Sequence, residues 1–402
     1  MRVELLLEPN NVPTTGGGYT ISQEIVQSLS SMSDFGRHEF VLVNPPALDL
    51  LPSPLPSHIK CITVNRPISE RARGRSIYLW KKWTGSRWPD WPIQKSLKEA
   101  MSAHHVDCAL SLMPDIHSRI LPNIVTVWDL EHRRKPYFPE VSADGEWDRR
   151  ENFYRWLLPR AIHIITGTET SKRQIQDFYG IDPSCVTVIP FPIPSFALED
   201  VTLSGDSSGE LPEGVSGEFL FYPAQYWPHK NHLHLLQAVK ILCERYGWDG
   251  MLVCSGSDRG NLKYLKESAI ALGIQHKVHL IGFVSRNELI ALYRQALALT
   301  FVSYFGPDNL PPLEAFALGC PVIASAVEGV EETVGDAALL VEPDDPLDIA
   351  DAVQRLRLDP ACRKKLIERG KARAQLRQTG DLYAKALLHL LDRLERRFEC
   401  WR

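Results

Sequence analysis

Residues 303–325 read SYFGPDNLPPLEAFALGCPVIAS and contain the start and stop signals of a short helix. Pro311 and Pro312 suit the first helical turn, where a missing backbone N–H costs nothing. Gly319 can adopt the left-handed conformation that ends a helix, and Pro321 prevents its continuation. Apolar runs at 296–303 and 321–325 predict buried strands on both sides. The order strand, loop, helix, strand is typical of a doubly wound α/β sheet.

The loop of residues 306–309 leads into the N-terminus of this predicted helix. Free N–H groups and the helix dipole at such a place bind anions such as a pyrophosphate. Glu314 follows one turn later, and its carboxylate can accept hydrogen bonds from the hydroxyls of a ribose. A glutamate there can also simply stabilise the dipole, by about 0.3–1 kcal/mol. The loop, the prolines and the flanking strands favour the ligand-binding interpretation.

The composition is that of a globular protein with room for two domains. The chain has 402 residues, of which 44% are hydrophobic and 23% charged, and its net charge of −4 gives no general attraction to nucleic acid. It has no apolar run long enough to cross a membrane, and the N-terminal run is too short for a secretory signal. The eight cysteines are scattered without a C-x-x-C pair, which predicts reduced thiols in the cytoplasm.

The chain divides by its pattern into two halves. Strand and helix signals alternate up to residue 196, and a polar Gly/Ser-rich stretch at 197–217 predicts a linker. The alternation restarts at 218 and continues to 380, and residues 381–402 predict a helix that returns to the first domain. The predicted fold is therefore α/β, with two Rossmann-like domains that face a cleft where a ligand binds.

The first half offers candidate residues in three segments. Glycines 16–18, just before the first helix, suit either a close backbone approach to a ligand or a flexible loop. Asp129, His132 and Arg133 follow a strand, where functional residues of α/β proteins lie. Residues 60–99 are basic and rich in Trp, so Trp83 and Arg87 are candidates for contact with an acceptor or a membrane surface, or belong to a solvated amphipathic segment.

The order of residues in the second half resembles the nucleotide-sugar domain of retaining glycosyltransferases of the two-Rossmann (GT-B) type, family 4. The matching segments are YPAQYWPHKNHLHLLQAV, IGFVSRNELIALYRQA, NLPPLEAFALGCPVIAS and GVEETVGDAALLVEPDD, which cover nearly all of 219–355. The first half resembles the family more loosely, through TGGGYT, VTVWDLEH and TETSKRQI. The segments FGPDNLPPLEA and PHKNH are similar to those of a subgroup that builds bacterial O-antigen or capsule, often as mannosyltransferases.

The resemblance implies a role for each matching residue. Lys230 lies at the lysine that binds the donor phosphates, and Glu314 at the glutamate that binds the ribose. The remaining implied positions are the backbone of Asn309 and Leu310 at the diphosphate, Phe283 and Val284 at the nucleobase, Gly17 and Gly18 near the phosphates, and His132 near the transferred sugar. The implied partners are a nucleotide sugar and a saccharide or lipid-linked acceptor, with no cofactor.

Three positions depart from the family pattern. Gly306 stands where the family has a glutamate that holds the donor sugar, and Asp308 is the expected substitute. Gln225 stands where the family has an arginine, so one cation at the diphosphate is missing. Trp128 stands where a histidine normally precedes Asp129.

The absence of a D-x-D motif predicts a diphosphate site without a metal ion, with Lys230, the helix N-terminus and Arg133 supplying positive charge. The resemblance implies retention of configuration, and because no residue is marked as a covalent nucleophile we expect it to proceed by front-face attack. Other functions stay open: a nucleotide-sugar epimerase or hydrolase, or a non-catalytic binding protein. A phosphorylase lacks a marked pyridoxal lysine, and a nicotinamide dehydrogenase lacks G-x-G-x-x-G.

Overall fold

The computed structural model describes residues 1–7, 17–45, 54–65, 95–114, 117–198, 209–306, 308–376 and 380–400. These residues form two parallel β-sheets, one in each half of the chain, and each is packed against helices. The predicted fold class, two doubly wound α/β domains, is thereby confirmed. We call the two halves the N-terminal and C-terminal lobes.

The N-terminal lobe contains a parallel sheet of short, mostly apolar strands. Their bounds are β1 Arg2–Leu6, β2 Glu39–Val43, β3 Ile59–Ile62, β4 Cys108–Ser111, β5 Asn123–Val127, β6 His163–Thr166 and β7 Val186–Val188. The order across the sheet is β3-β2-β1-β4-β5-β6-β7. Val3 is paired with both Phe40 and Cys108, and all three are fully buried, because a strand covered on both faces carries apolar residues throughout.

The C-terminal lobe repeats this plan. Its strands are β8 Phe219–Pro223, β9 Met251–Ser255, β10 Val278–Gly282, β11 Ala298–Phe301, β12 Val322–Ser325 and β13 Ala338–Val341. Their order is β10-β9-β8-β11-β12-β13, so the sheet order reverses direction between β8 and β11. Ligands of such sheets bind beyond the carboxyl ends of the strands at that reversal.

The helices follow the strands in chain order. Up to residue 198 they are α1 Gly17–Ser31, α2 Lys95–Ala103, α3 Glu131–Arg134, α4 Pro139–Ser142, α5 Glu146–Leu157, α6 Glu169–Tyr179 and α7 Ser195–Leu198. They continue as α8 His232–Tyr246, α9 Leu262–Ala271, α10 Arg286–Gln295, α11 Leu310–Leu318, α12 Val330–Val334, α13 Pro346–Leu358, α14 Pro360–Leu376 and α15 Gly380–Phe398. Within the described residues, no helix combines the length and apolar composition needed to cross a bilayer.

Local signals in the sequence account for the helix ends. Helix α11 has prolines in its first turn and ends at Gly319, whose φ is 75°, in the left-handed conformation. Ser285 and Glu288 form a capping box at the start of α10. Thr168 caps α6 by accepting a hydrogen bond from the Ser171 N–H.

Helix α15 crosses back and completes the core of the N-terminal lobe. Its buried face, which includes Leu387, Leu391 and Leu394, belongs to the same apolar cluster as β1 and α1. Gly380 begins the helix directly against α1, where an added Cβ would lie 1.8 Å from the Ser28 Oγ. Only glycine permits this approach.

The predicted linker is not polar at its ends. Phe196 and Ala197 in α7, together with Val215, are buried in the core of the C-terminal lobe. Residues 199–208 lie outside the described part of the chain.

Candidate functional site

A cavity of about 300 Å³ lies between the two lobes. It lies among the loops after β5, β8 and β11, as expected for a ligand site of this fold. The N-terminal lobe contributes Ile21, Trp128, Asp129, Glu140, Val141, Arg150 and Phe191 to its walls. The C-terminal lobe contributes Trp227, His229, Lys230, Phe305, Gly306, Asp308 and Asn309.

Lys230 supplies a positive charge to the cavity. It ends a single 3₁₀ turn, Pro228–Lys230, after which Asn231 adopts a left-handed conformation with φ of 60°. The Asn231 side chain donates to the carbonyl oxygens of Val302 at 3.0 Å and Pro343 at 2.8 Å, which fixes the turn to the lobe. Burial lowers the pKa of Lys230 to about 8, and attraction to Asp129 opposes the shift. The ammonium group can therefore be protonated at neutral pH yet remain poorly solvated, which suits an anionic ligand.

Arg150 is the second cation in the cavity wall, and our sequence prediction missed it. Its Nε donates to Glu146 Oε1 at 2.7 Å, and its Nη1 lies 3.8 Å from Asp129 Oδ1. Asp129, predicted as a catalytic residue, does line the cavity and also accepts the Glu131 N–H at 3.0 Å.

The N-terminus of α11 also reaches the cavity through Asn309. The Asn309 side chain donates to the Phe305 carbonyl at 2.8 Å and does not cap the helix. Pro311 and Pro312 have no N–H, so an incoming anion can be bound only by the remaining N–H groups of the first turn. Leu310 packs into the core of the N-terminal lobe, so the N-terminus of α11 contacts both lobes. Asp308 lines the cavity and lies against Gly167, where an added Cβ would be 2.5 Å from its Oδ2.

Glu314 lies behind the cavity wall rather than in it. The residue is 9% exposed, and its Oε2 accepts a hydrogen bond from the Tyr293 hydroxyl at 2.6 Å. Burial raises the pKa of Glu314 to about 7, although the Tyr293 hydroxyl opposes the shift. A ribose bound by this carboxylate would lie deep in the C-terminal lobe.

The structure keeps His132 and Arg133 out of the cavity. Both are drawn to Glu151 of α5: the His132 Nε2 lies 3.4 Å from Glu151 Oε2, and the Arg133 Nε donates to the same oxygen at 2.7 Å. His132 is fully buried, which lowers its pKa. Arg133, expected to supply positive charge to the site, is paired with Glu151, whereas Arg150 is the arginine that lines the cavity.

The remaining predicted residues have varied surroundings. Gln225 is held beside the cavity: its Oε1 accepts the Trp227 indole N–H at 3.0 Å and its Nε2 donates to Ser257 at 3.2 Å. Phe283 is 63% exposed, whereas Val284 packs on the core of the C-terminal lobe.

Gly17 and Gly18 begin α1 close to the cavity, and an added Cβ at Gly18 would overlap the Trp128 ring at 2.6 Å. Trp83 and Arg87 lie outside the described residues.

A contact between the lobes forms part of the cavity wall. Glu140 of α4 accepts the backbone N–H of His229 at 2.9 Å and also contacts the ring Nδ1. The His229 ring stacks on Phe305, with centroids 3.9 Å apart and planes 9° apart. His229 and Phe305 belong to the segments PHKNH and FGPDNLPPLEA, but no motif marks Glu140. Its pairing with His229 could be found only once the two lobes were placed together.

A glutamate does not fit at Gly306 in this arrangement. An added Cβ would lie 2.7 Å from Val327 Cγ2. The space around residue 306 therefore fits the glycine that stands where the family has a glutamate.

The structure thus has two facing Rossmann-like domains and a cleft lined by cationic side chains. Residues 207–373 match the family model described as glycosyl transferases group 1. The matched segment includes Lys230 and Glu314.

Curated relatives match over a little more than half of this chain. It is 26% identical over 236 residues to the O-antigen chain mannosyltransferase RfbU of Salmonella typhimurium, a match that spans 58% of this chain and 60% of the relative. It is 35% identical over 232 residues to the D-inositol 3-phosphate glycosyltransferase of Corynebacterium jeikeium, spanning 54% of this chain and 55% of the relative.

Solved structures share the fold over nearly the whole chain. Sucrose-phosphate synthase from Thermosynechococcus elongatus superposes with a TM-score of 0.66 at 17% identity, covering 98% of this chain and 99% of that one. HepE from Anabaena, in complex with UDP-glucose, gives 0.64 at 16% identity and covers 97% and 99%.

Proposed function

We propose that this protein is a retaining glycosyltransferase that moves a hexose from a nucleoside-diphosphate donor to a saccharide or lipid-linked saccharide. The observation that carries the proposal is the cavity between the lobes, where Lys230 and the N-terminus of α11 lie opposite Asp129. A diphosphate would be bound by Lys230 and the N-terminus of α11 in the C-terminal lobe, and the acceptor would enter from the N-terminal lobe.

The comparisons support this assignment and suggest a substrate class. The matched family model covers the lobe that holds Lys230 and Glu314. The Salmonella relative is named as an O-antigen mannosyltransferase, so GDP-mannose is our preferred donor and bacterial surface polysaccharide the preferred product. The HepE structure with UDP-glucose has the same fold and makes a UDP-sugar the second choice. Such a function would place the protein in the cytoplasm, with any lipid-linked acceptor at the inner face of the membrane.

In the proposed reaction the acceptor hydroxyl oxygen bonds to the anomeric carbon as the bond from that carbon to the diphosphate oxygen breaks. The proton of the acceptor hydroxyl passes to the departing phosphate on the same face of the sugar. Lys230 and the N-terminus of α11 stabilise the charge that develops on the phosphate, which is their chemical contribution. The sequence contains no D-x-D motif, so we propose that these groups act without a metal ion.

Thermal shift with a panel of GDP-, UDP- and dTDP-sugars tests donor binding. A donor present at one hundred times its dissociation constant should add about 2.7 kcal/mol of stability. Stabilisation by none of these donors would refute the proposal.

Donor consumption with and without acceptor separates a transferase from an epimerase or hydrolase. A transferase needs the acceptor, whereas the alternatives turn over without it. Assignment of the product anomer by NMR then tests retention, and an inverted anomer would exclude front-face attack.

A further inference from the structure

Glu140 reaches across the cleft with one carboxylate oxygen. Its Oε1 accepts the His229 backbone N–H at 2.9 Å and contacts the ring Nδ1. Only 7% of the side chain is exposed. Burial by itself would raise the pKa of Glu140, but the bonds from His229 and from backbone N–H groups more than offset it and leave the pKa below its usual value. The carboxylate is therefore ionised at neutral pH.

The second oxygen, Oε2, is buried and has no hydrogen-bond partner within the described part of the chain. Glu140 is also one of the cavity-lining residues. A buried charged acceptor without a donor is unfavourable, because its desolvation is not compensated by a hydrogen bond. We therefore expect a ligand in the cavity to donate a hydrogen bond to Glu140 Oε2.

The surroundings favour a hydroxyl group over a metal ion as that donor. Among the described residues, the carboxylates and imidazoles of the cavity do not form a group of three within ligand distance of one another. Lys230 lines the same cavity and repels a cation. The Trp128 indole N–H, on the opposite lobe wall from Lys230, is buried and likewise lacks a partner among the described residues. One unpaired acceptor and one unpaired donor beside aromatic rings match a sugar, whose hydroxyls both donate and accept.

We propose that Glu140 binds a hydroxyl of the transferred sugar through its free oxygen and so determines which donor sugar is accepted. This inference rests on the proposed glycosyltransferase function and names the residue by which the N-terminal lobe recognises the sugar. Closure of the cleft would then be required for sugar recognition, because Glu140 and Lys230 belong to different lobes.

Calorimetric titration of the Glu140→Gln variant tests the proposal. The amide keeps the shape and the bond to His229 but turns the free acceptor into a donor. We expect the affinity for the nucleotide sugar to fall at least tenfold and that for the nucleoside diphosphate alone to change less than twofold. A donor lacking the recognised hydroxyl should bind both proteins equally.

Glu332→Gln is the matched control for loss of a contact between lobes. Glu332 accepts the backbone N–H groups of Glu169 at 2.7 Å and Thr170 at 2.9 Å and does not line the cavity. We expect it to affect the two ligands alike. If Glu140→Gln lowered the affinities for nucleotide sugar and nucleoside diphosphate equally, Glu140 would only hold the two lobes together. That result would overturn the inference.

The other outcomes are equally distinct. Failure of the wild type to bind any nucleotide sugar would overturn the proposed function itself, whereas unchanged binding by Glu140→Gln would overturn only this inference. A raised KM for acceptor with unchanged donor binding would assign the hydroxyl to the acceptor and also overturn it. Should Glu140→Gln not fold, Trp128→Phe removes the unpaired indole N–H and is expected to weaken the nucleotide sugar selectively.

Discussion

Replacing Glu314 by glutamine should make the protein more stable and less active. The carboxyl is buried, and its pKa is about 7 in the folded protein against an ordinary 4.5. Glutamine removes the ionisable group but can still accept the hydrogen bond from Tyr293. The wild type, in contrast, must ionise a poorly solvated carboxyl at alkaline pH.

The sign and size of the effect follow from linkage. Because the folded pKa is raised, the folded state holds its proton longer than the unfolded state, and wild-type stability falls as pH rises from 4.5 to 7. The difference of pKa corresponds to about 3 kcal/mol at pH 8 and to less than about 1 kcal/mol at pH 5. The glutamine variant does not lose stability in this way, so its free energy of unfolding should exceed that of the wild type mainly at alkaline pH.

Thermal unfolding of both proteins at pH 5 and pH 8 measures the effect. The variant should melt roughly 3–4 °C above the wild type at pH 8 and close to it at pH 5. All other titrating groups are common to the two proteins and cancel in the difference. Tyr293→Phe is the control, because loss of the hydroxyl raises the Glu314 pKa further and should destabilise more at pH 8.

An advantage of Glu314→Gln that did not vary with pH would refute this reasoning. It would mean that water or another donor solvates the carboxylate in the folded protein. Donor turnover by the variant should fall at least about tenfold if the ribose binds here.

Three further results are expected. Lys230→Ala should lower kcat/KM at least about tenfold, or ~1.4 kcal/mol, and a folded variant of normal rate would remove Lys230 from the site. Since the pKa of Lys230 is about 8, donor affinity should fall about tenfold between pH 7 and pH 9. Lys230→Arg, which stays charged, should bind donor without that pH dependence, and a persisting decline would assign it to another group. Leu391→Ala should cost ~2–5 kcal/mol in urea denaturation, and a neutral result would contradict the packing of α15 on the N-terminal lobe.

Much of the C-terminal lobe could be predicted because its signals are local. The prolines and Gly319 bracket α11 within nine residues, and the capping box of Ser285 is complete in four. Lys230 was placed from a motif, and the structure puts it in the cavity wall. The cavity position of Asp129 likewise followed from its place at the end of β5.

The rest depended on contacts between distant segments. His132 and Arg133 follow the same strand as Asp129, but Glu151, almost twenty residues later, draws their side chains away from the cleft. Arg150 is the neighbour of that glutamate and faces the cavity instead. Glu140 pairs with a residue 89 positions away in the other lobe. No periodicity or spacing encodes such a pairing.

The position of α15 has a consequence for the protein during its synthesis. Its leucines fill the core of the lobe that is translated first. At about 5–20 residues per second, the ribosome needs roughly 10–40 s to pass from the end of that lobe to its last helix. During this time the N-terminal lobe exposes the apolar surface that α15 later covers. We expect chaperones to bind the nascent chain there.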